Sequence, residues 1–190
     1  LEELFDDVYE LLYEEYSYVA DIRKQKVSIG IDFYADEDDD VINLDIVPGR
    51  ELNQDKYRED KKLNLFVNSQ FGLLSEKTYI QTNIDSQIQH IKEKENERKI
   101  IRLLKIWKYR NSKQYKSFLL ELITIKAFSK ITINGNLWNQ LKCVMEYIRD
   151  NVNQEGFSLI DPGNSNNNVI ETLTEHEREQ FSNEMKRIIE

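Results

Sequence analysis

Near residue 80 the spacing of apolar residues changes from two to between three and four, and that change sets the fold class. Before it, Lys26 to Tyr34 reads as a strand, with Val27, Ile29, Ile31 and Phe33 on one side. Val41 to Val47 reads as another, with Ile42, Leu44 and Ile46 on one face and Val41, Asn43, Asp45 and Val47 on the other. After it the period is helical. Ile84, Ile88 and Ile91 form one stripe, and Ile100, Ile101, Leu103, Leu104 and Trp107 form the next. Phe118, Leu119, Leu122, Ile123 and Phe128 mark a third helix; Leu137, Leu141, Val144, Met145 and Ile148 mark a fourth. A first helix, Leu1 to about Ser17, carries Leu1, Leu4, Phe5, Val8, Leu11 and Leu12, with acids on its other face. Helix, antiparallel strands, then helices is an α+β order. It divides into 1–80, a helix plus strands, and 81–190, a helical lobe.

Local signals punctuate this pattern. Pro48 removes a ladder donor and ends the Asp45 strand. The acidic run Asp36-Glu37-Asp38-Asp39-Asp40 reads as a solvated hairpin tip, because it lacks the glycine and glutamate spacing of an EF-hand loop. Gly49 to Lys62 reads as a surface loop, while Leu63 to Val67 and Gly72 to Tyr79 give a mixed signal. Thr82-Asn83 is placed to cap the Ile84 helix, and Lys92 to Arg98 interrupts the apolar stripe as a break or exposed turn. Asp161-Pro162 predicts a turn, with the Asn164 to Asn168 side chains bonding backbone. Thr174 and Glu177 are spaced as a capping box for the last helix.

Composition narrows the function classes. Hydrophobic residues make up 39% of 190, enough for a packed core. A net charge of -9 argues against constitutive binding to duplex nucleic acid, which needs clustered Lys and Arg. Cys143 is the only cysteine and has only His90 and His176 beside it in the composition, so neither a disulfide nor a Cys/His zinc site is expected. A reducing, cytoplasmic setting is the expectation. No apolar run approaches a membrane span and no signal peptide is visible. The chain starts at Leu1 already in helical pattern and reads as a fragment.

Seven residues draw attention on chemical grounds. Asp45 sits among β-branched residues in a strand expected to be half-buried, where an ionised carboxylate needs a positive or hydrogen-bonding partner. A divalent cation would serve, as would a backbone donor or solvent at the strand end. Lys105 and Lys108, three apart on one helix, could hold a polyphosphate or snorkel over the apolar stripe. Phe118 belongs to a core stripe and Glu121 follows Ser117 by four, in a structural hydrogen-bonding role. Cys143 flanks a core stripe as a small packing residue.

Leu44-Asp45-Ile46-Val47-Pro48-Gly49 resembles the third-carboxylate strand of the oligoadenylate synthase and cGAS-like nucleotidyltransferases. The bacterial members, which make cyclic oligonucleotide signals in anti-phage defence, are the nearest likeness. Three further segments follow in the family's order. Gln81 to Ile84 with Ile100 to Lys108 is similar to the start of its helical lobe, Lys116 to Leu122 to its next helix, and Asp161-Pro162 with Asn166-Asn167-Asn168-Val169 to a segment near its end. The resemblance implies a polymerase-beta-like sheet lobe followed by a helical lobe. It implies NTP substrates, Mg²⁺ (or Mn²⁺), attack of a ribose hydroxyl on the donor α-phosphate, and loss of pyrophosphate. Asp45 would be a metal ligand or the base, Lys105 and Ser117 would grip the donor triphosphate, and Phe118 would stack on a base.

The family's first two metal carboxylates, a D-x-D after a Gly-Ser turn, have no counterpart here. Asp38-Asp39-Asp40 has the spacing but follows the wrong strand. One carboxylate cannot position two ions, so the chain is expected to be inactive alone and to need an N-terminal segment of the same protein. Two other readings stand beside the C-terminal part of a cyclic-oligonucleotide synthase. One is a non-catalytic nucleotide-binding or protein-interaction module of the same fold; the other is an RNA or tRNA nucleotidyltransferase.

Overall fold

The computed structural model describes residues 1–34, 42–68 and 79–190. The chain divides into two units, Leu1–Ile84 and Asp85–Glu190. The expected hairpin tip at Asp36 to Asp40, together with Val41 and most of Gly72 to Tyr79, lies outside the described residues.

In the first unit α1 (Glu2–Tyr16) is followed by β1 (Ala20–Lys24), β2 (Ile29–Phe33) and β3 (Asn43–Ile46), an antiparallel sheet in the order β1-β2-β3. Register gives the sheet two unlike faces. Ile22, Ile31 and Leu44 align across one face, and Ile29 aligns there with Ile46. Phe5 of α1 packs with Ile22, Ile29, Ile31 and Phe66, joined by Val8 and Leu12. Leu4 and Leu11, read as part of the same inward stripe, are instead exposed. The opposite face carries Asp21, Asp32 and Asn43 in one row and Arg23, Gly30 and Asp45 in the next.

The β1 strand was not foreseen, and Gly49 to Lys62 is not a simple loop. Gly49–Glu51 forms β4 and Tyr57–Asp60 a short helix, α2. β4 pairs with β5 (Leu63–Phe66), which pairs with β6 (Tyr79–Thr82). Strand formation there follows from ladder bonds to a partner, which a polar sequence does not forbid. Asn83 donates its side-chain amide to the Asp60 carbonyl at 2.6 Å.

The second unit starts with α3 (Ile84–Ile91), all of which but Ile84 belongs to it, then α4 (Glu95–Arg110), α5 (Ser117–Lys130) and α6 (Leu137–Asn151). The break between α3 and α4 spans only Lys92 to Lys94, with Glu93 turning the chain at φ 61°; Glu95 to Arg98, expected to extend the interruption, are instead the first turn of α4. The hairpin β7 (Ile160–Asp161) and β8 (Asn164–Asn168) and a 3₁₀ turn lead to α7 (Glu175–Ile189). Asp161 accepts from the Gly163 amide at 2.7 Å, and Asn168 accepts from the Leu159 amide at 2.8 Å. The Thr174–Glu177 capping box forms as the spacing predicts.

This unit's core runs through Leu104, Leu119, Ile123, Met145, Ile148 and Phe181. Three rings link α4 to α7: Tyr115 and Phe181 lie 4.4 Å apart, with Trp107 about 6 Å from both. Tyr115 also donates to Glu184 at 3.0 Å, and Lys113 pairs with the same carboxylate. Burial, then this acceptor, raises the Tyr115 pKa. Ile84 and Ile88, expected as core, are half exposed. No helix among the described residues is long and apolar enough to cross a membrane.

Candidate functional site

Helix α4 delivers three of its basic residues, Arg98, Arg102 and Lys105, to one cavity of the second unit. Ile100, Ile101 and Leu104 are buried, and this fixes the helix's rotation. Arg98, Arg102 and Lys105, at spacings of four and three, then project along a neighbouring side. They line a cavity of about 470 Å³ with Lys92 from the end of α3, over a floor that includes Ile91 and Ile101. Among the described residues no carboxylate pairs with Lys92, Arg98 or Arg102. His90, close by, is held below its ordinary pKa by burial and then by Lys94.

Lys105 and Lys108 do not merely cover the apolar stripe. The Lys105 ammonium donates to the Glu121 carboxylate of α5 at 2.5 Å, and Lys108 donates to the Ser117 hydroxyl at 3.1 Å. The two pairs form successive rungs between α4 and α5. Glu121 and Lys105 line the cavity, and Ser117 with Lys108 lies one turn beyond, at the first residue of α5. A helix N-terminus with a lysine and a hydroxyl beside it favours anionic oxygens. Phe118 is partly buried and packs against the core, so it serves structure while keeping part of its surface.

The structure thus brings two of the foreseen residues, Lys105 and Ser117, to the facing sides of α4 and α5, while Phe118, next to Ser117 in the chain, packs partly buried against the core. Sequence reasoning missed Lys92, Arg98 and Arg102. A usable signal was present: from Arg98 to Leu120 the chain has eight Lys and Arg and no Asp or Glu.

Asp45 is placed differently from expectation. It is exposed, not half-buried, because β3 lies at one edge of its sheet and α1 packs on the other face. Of the described residues in the expected Val41 to Val47 strand, Ile42 and Val47 lie outside it. A cavity of about 250 Å³ runs past Arg23, Gln25, Asp32, Asn43 and Asp45. Arg23 forms an ion pair with Asp32 and lies 3.8 Å from Asp21. The Asp32 hydrogen bond, then the charges of Asp32, Asp21 and Asp45, raise the Arg23 pKa. Among the described residues no group of three or more His, Cys, Asp or Glu is arranged to hold a metal ion. A guanidinium already lies among these carboxylates, and the set does not fit Mg²⁺ as it stands.

No protein-family model matches the chain, and no curated protein matches it either.

Proposed function

We propose that this chain is the C-terminal part of a nucleotidyltransferase that joins NTPs into an oligonucleotide second messenger, cyclic as in the bacterial enzymes it resembles. The observation that carries the proposal is the basic cavity beside the two rungs. Arg98 and Arg102, one turn apart, present fork-shaped donors to phosphate oxygens. Lys105, Lys108 and the Ser117 hydroxyl extend the row toward the start of α5. Such an array suits a triphosphate, and the exposed part of Phe118 suits a base. Asp45 is proposed as the family's third carboxylate, with its metal partners supplied by an N-terminal segment of the parent. The chain alone makes no oligonucleotide.

A second reading, a nucleotide-binding module without catalysis, is favoured by Arg23 among Asp21, Asp32 and Asp45. Incubating the full-length parent with all four NTPs and Mg²⁺, and resolving products by mass, separates the two: an oligonucleotide supports the enzyme, and its absence supports the module. Phosphate binding is tested on the 190-residue protein by titrating ATP calorimetrically. Arg102→Ala and Lys105→Ala should each weaken ATP by roughly tenfold, as expected for a charge-assisted phosphate contact. Unchanged affinity in both would leave Lys105 and Lys108 with only their structural pairing to Glu121 and Ser117.

A further inference from the structure

We propose that Glu121 regulates this same site as a built-in competitor anion, occupying the Lys105 ammonium when the cavity is empty and surrendering it to a bound polyphosphate. The inference rests on the phosphate-binding reading above and goes beyond it.

Glu121 is the first acid after the acid-free run that begins at Arg98. It is also the one acid lining the basic cavity among the described residues. Helical spacing puts it one turn after Ser117, on the side of α5 that meets α4. Its Oε1 lies 2.5 Å from the Lys105 Nζ. Among the described residues, Lys105 is the one of the four cations lining the cavity that already has a carboxylate partner.

A ligand entering this cavity therefore meets three open cations and one closed ion pair. To reach Lys105, its phosphate must replace the Glu121 carboxylate, and it then lies beside that carboxylate at short range. Both side chains keep part of their surface in solvent, 38% for Lys105 and 26% for Glu121. A pair so exposed contributes little and exchanges partners readily. The arrangement is a latch that yields. A ligand carrying several phosphates can hold Arg98 and Arg102 while it competes for Lys105. A ligand with one phosphate must choose.

The alternative role for Glu121 is to pin α4 to α5, which a neutral glutamine can still do by hydrogen bonding. Glu121→Gln keeps size and shape and removes the competing charge. Sodium tripolyphosphate titrated into the 190-residue protein by calorimetry should bind Glu121→Gln about fivefold more tightly than the unaltered chain, the upper range for one part-exposed ion pair. Glu121→Asp, which keeps the charge but shortens its reach, should fall between the two. Unchanged or weaker binding in Glu121→Gln overturns the competitor role and leaves the phosphate site standing. No binding to either protein removes the phosphate site and this inference with it. A second measurement needs no variant. The Lys105 side-chain ammonium resonance should move on saturation with tripolyphosphate, and a stationary resonance also overturns the proposal.

Discussion

The two units differ in charge and in what holds them together. Residues 1–84 carry nine Lys and Arg against twenty Asp and Glu, for -11; residues 85–190 carry seventeen against fifteen, for +2. The overall -9 is therefore an average over unlike parts. An argument from net charge excludes an anionic ligand only where the charge is evenly spread. Here α4 alone carries six of the second unit's seventeen cations, and the first unit places Asp21, Asp32 and Asp45 on one sheet face. Cores differ in the same direction. Among the described residues the first unit's apolar cluster has six buried residues and the second's nineteen, so there the helical unit has the larger reserve of buried surface.

The largest expected effects test that difference in reserve. Phe5 and Phe181 are both fully buried, and truncating either to alanine should cost about 3–5 kcal/mol. For Phe5→Ala that cost falls on a small core. Amide hydrogen exchange across β1 and β2 should rise to the level of an unfolded chain. Phe181→Ala should accelerate exchange in α4, α5 and α7 while those helices stay substantially protected. Equal loss of protection in the two variants would mean that core size does not separate the units.

A smaller effect should appear in the second unit alone as pH falls. The backbone and side chain of Thr174 both donate to Glu177, and these bonds lower its pKa. The folded pKa lies below the unfolded one, so the contribution is complete above the unfolded value. It is lost as pH falls through the folded value. Protection factors at the first turn of α7, with the intrinsic pH dependence of amide exchange divided out, should therefore fall below about pH 4.5, the ordinary glutamate range. Thr174→Ala should flatten that dependence. The same acid response in the variant would mean that the capping box is not its source.

What the sequence made legible tracks how local the cause is. The α+β order, the α3–α4 break, the Asp161 turn and the Thr174 box all follow from spacings within one or two turns. The misses came from partners distant in the chain. β1 reads as unremarkable until its pairing with β2 is known, and β4 forms because β5 is there to receive its bonds. Ile84 and Ile88 have helical spacing, but spacing does not say which neighbours arrive to cover them. In the candidate site, Lys105 and Ser117 were found by likeness to a family motif. Arg98 and Arg102 needed the rotation of α4, which its buried residues set through packing.

The smallest expected effect concerns Asp45. A half-buried carboxylate would gain stability on becoming neutral, through relief of its desolvation. In the structure Asp45 is exposed, aligned with Gly30 and near Arg23, whose direct ion pair is with Asp32. Replacement by Asn removes one distant, solvent-screened attraction and no burial penalty. Asp45→Asn should therefore change stability by less than about 0.5 kcal/mol, the range of ordinary surface substitutions. Denaturant unfolding of the 190-residue protein gives the number. In the full-length parent the same change should abolish product while leaving stability within that range, if Asp45 serves as the proposed metal carboxylate. A stability loss well beyond it, with turnover per folded molecule retained, would instead assign Asp45 to the Arg23 ion-pair lattice. The open acidic face of the first unit would then be a structural feature, and the anion chemistry would belong to the second unit alone.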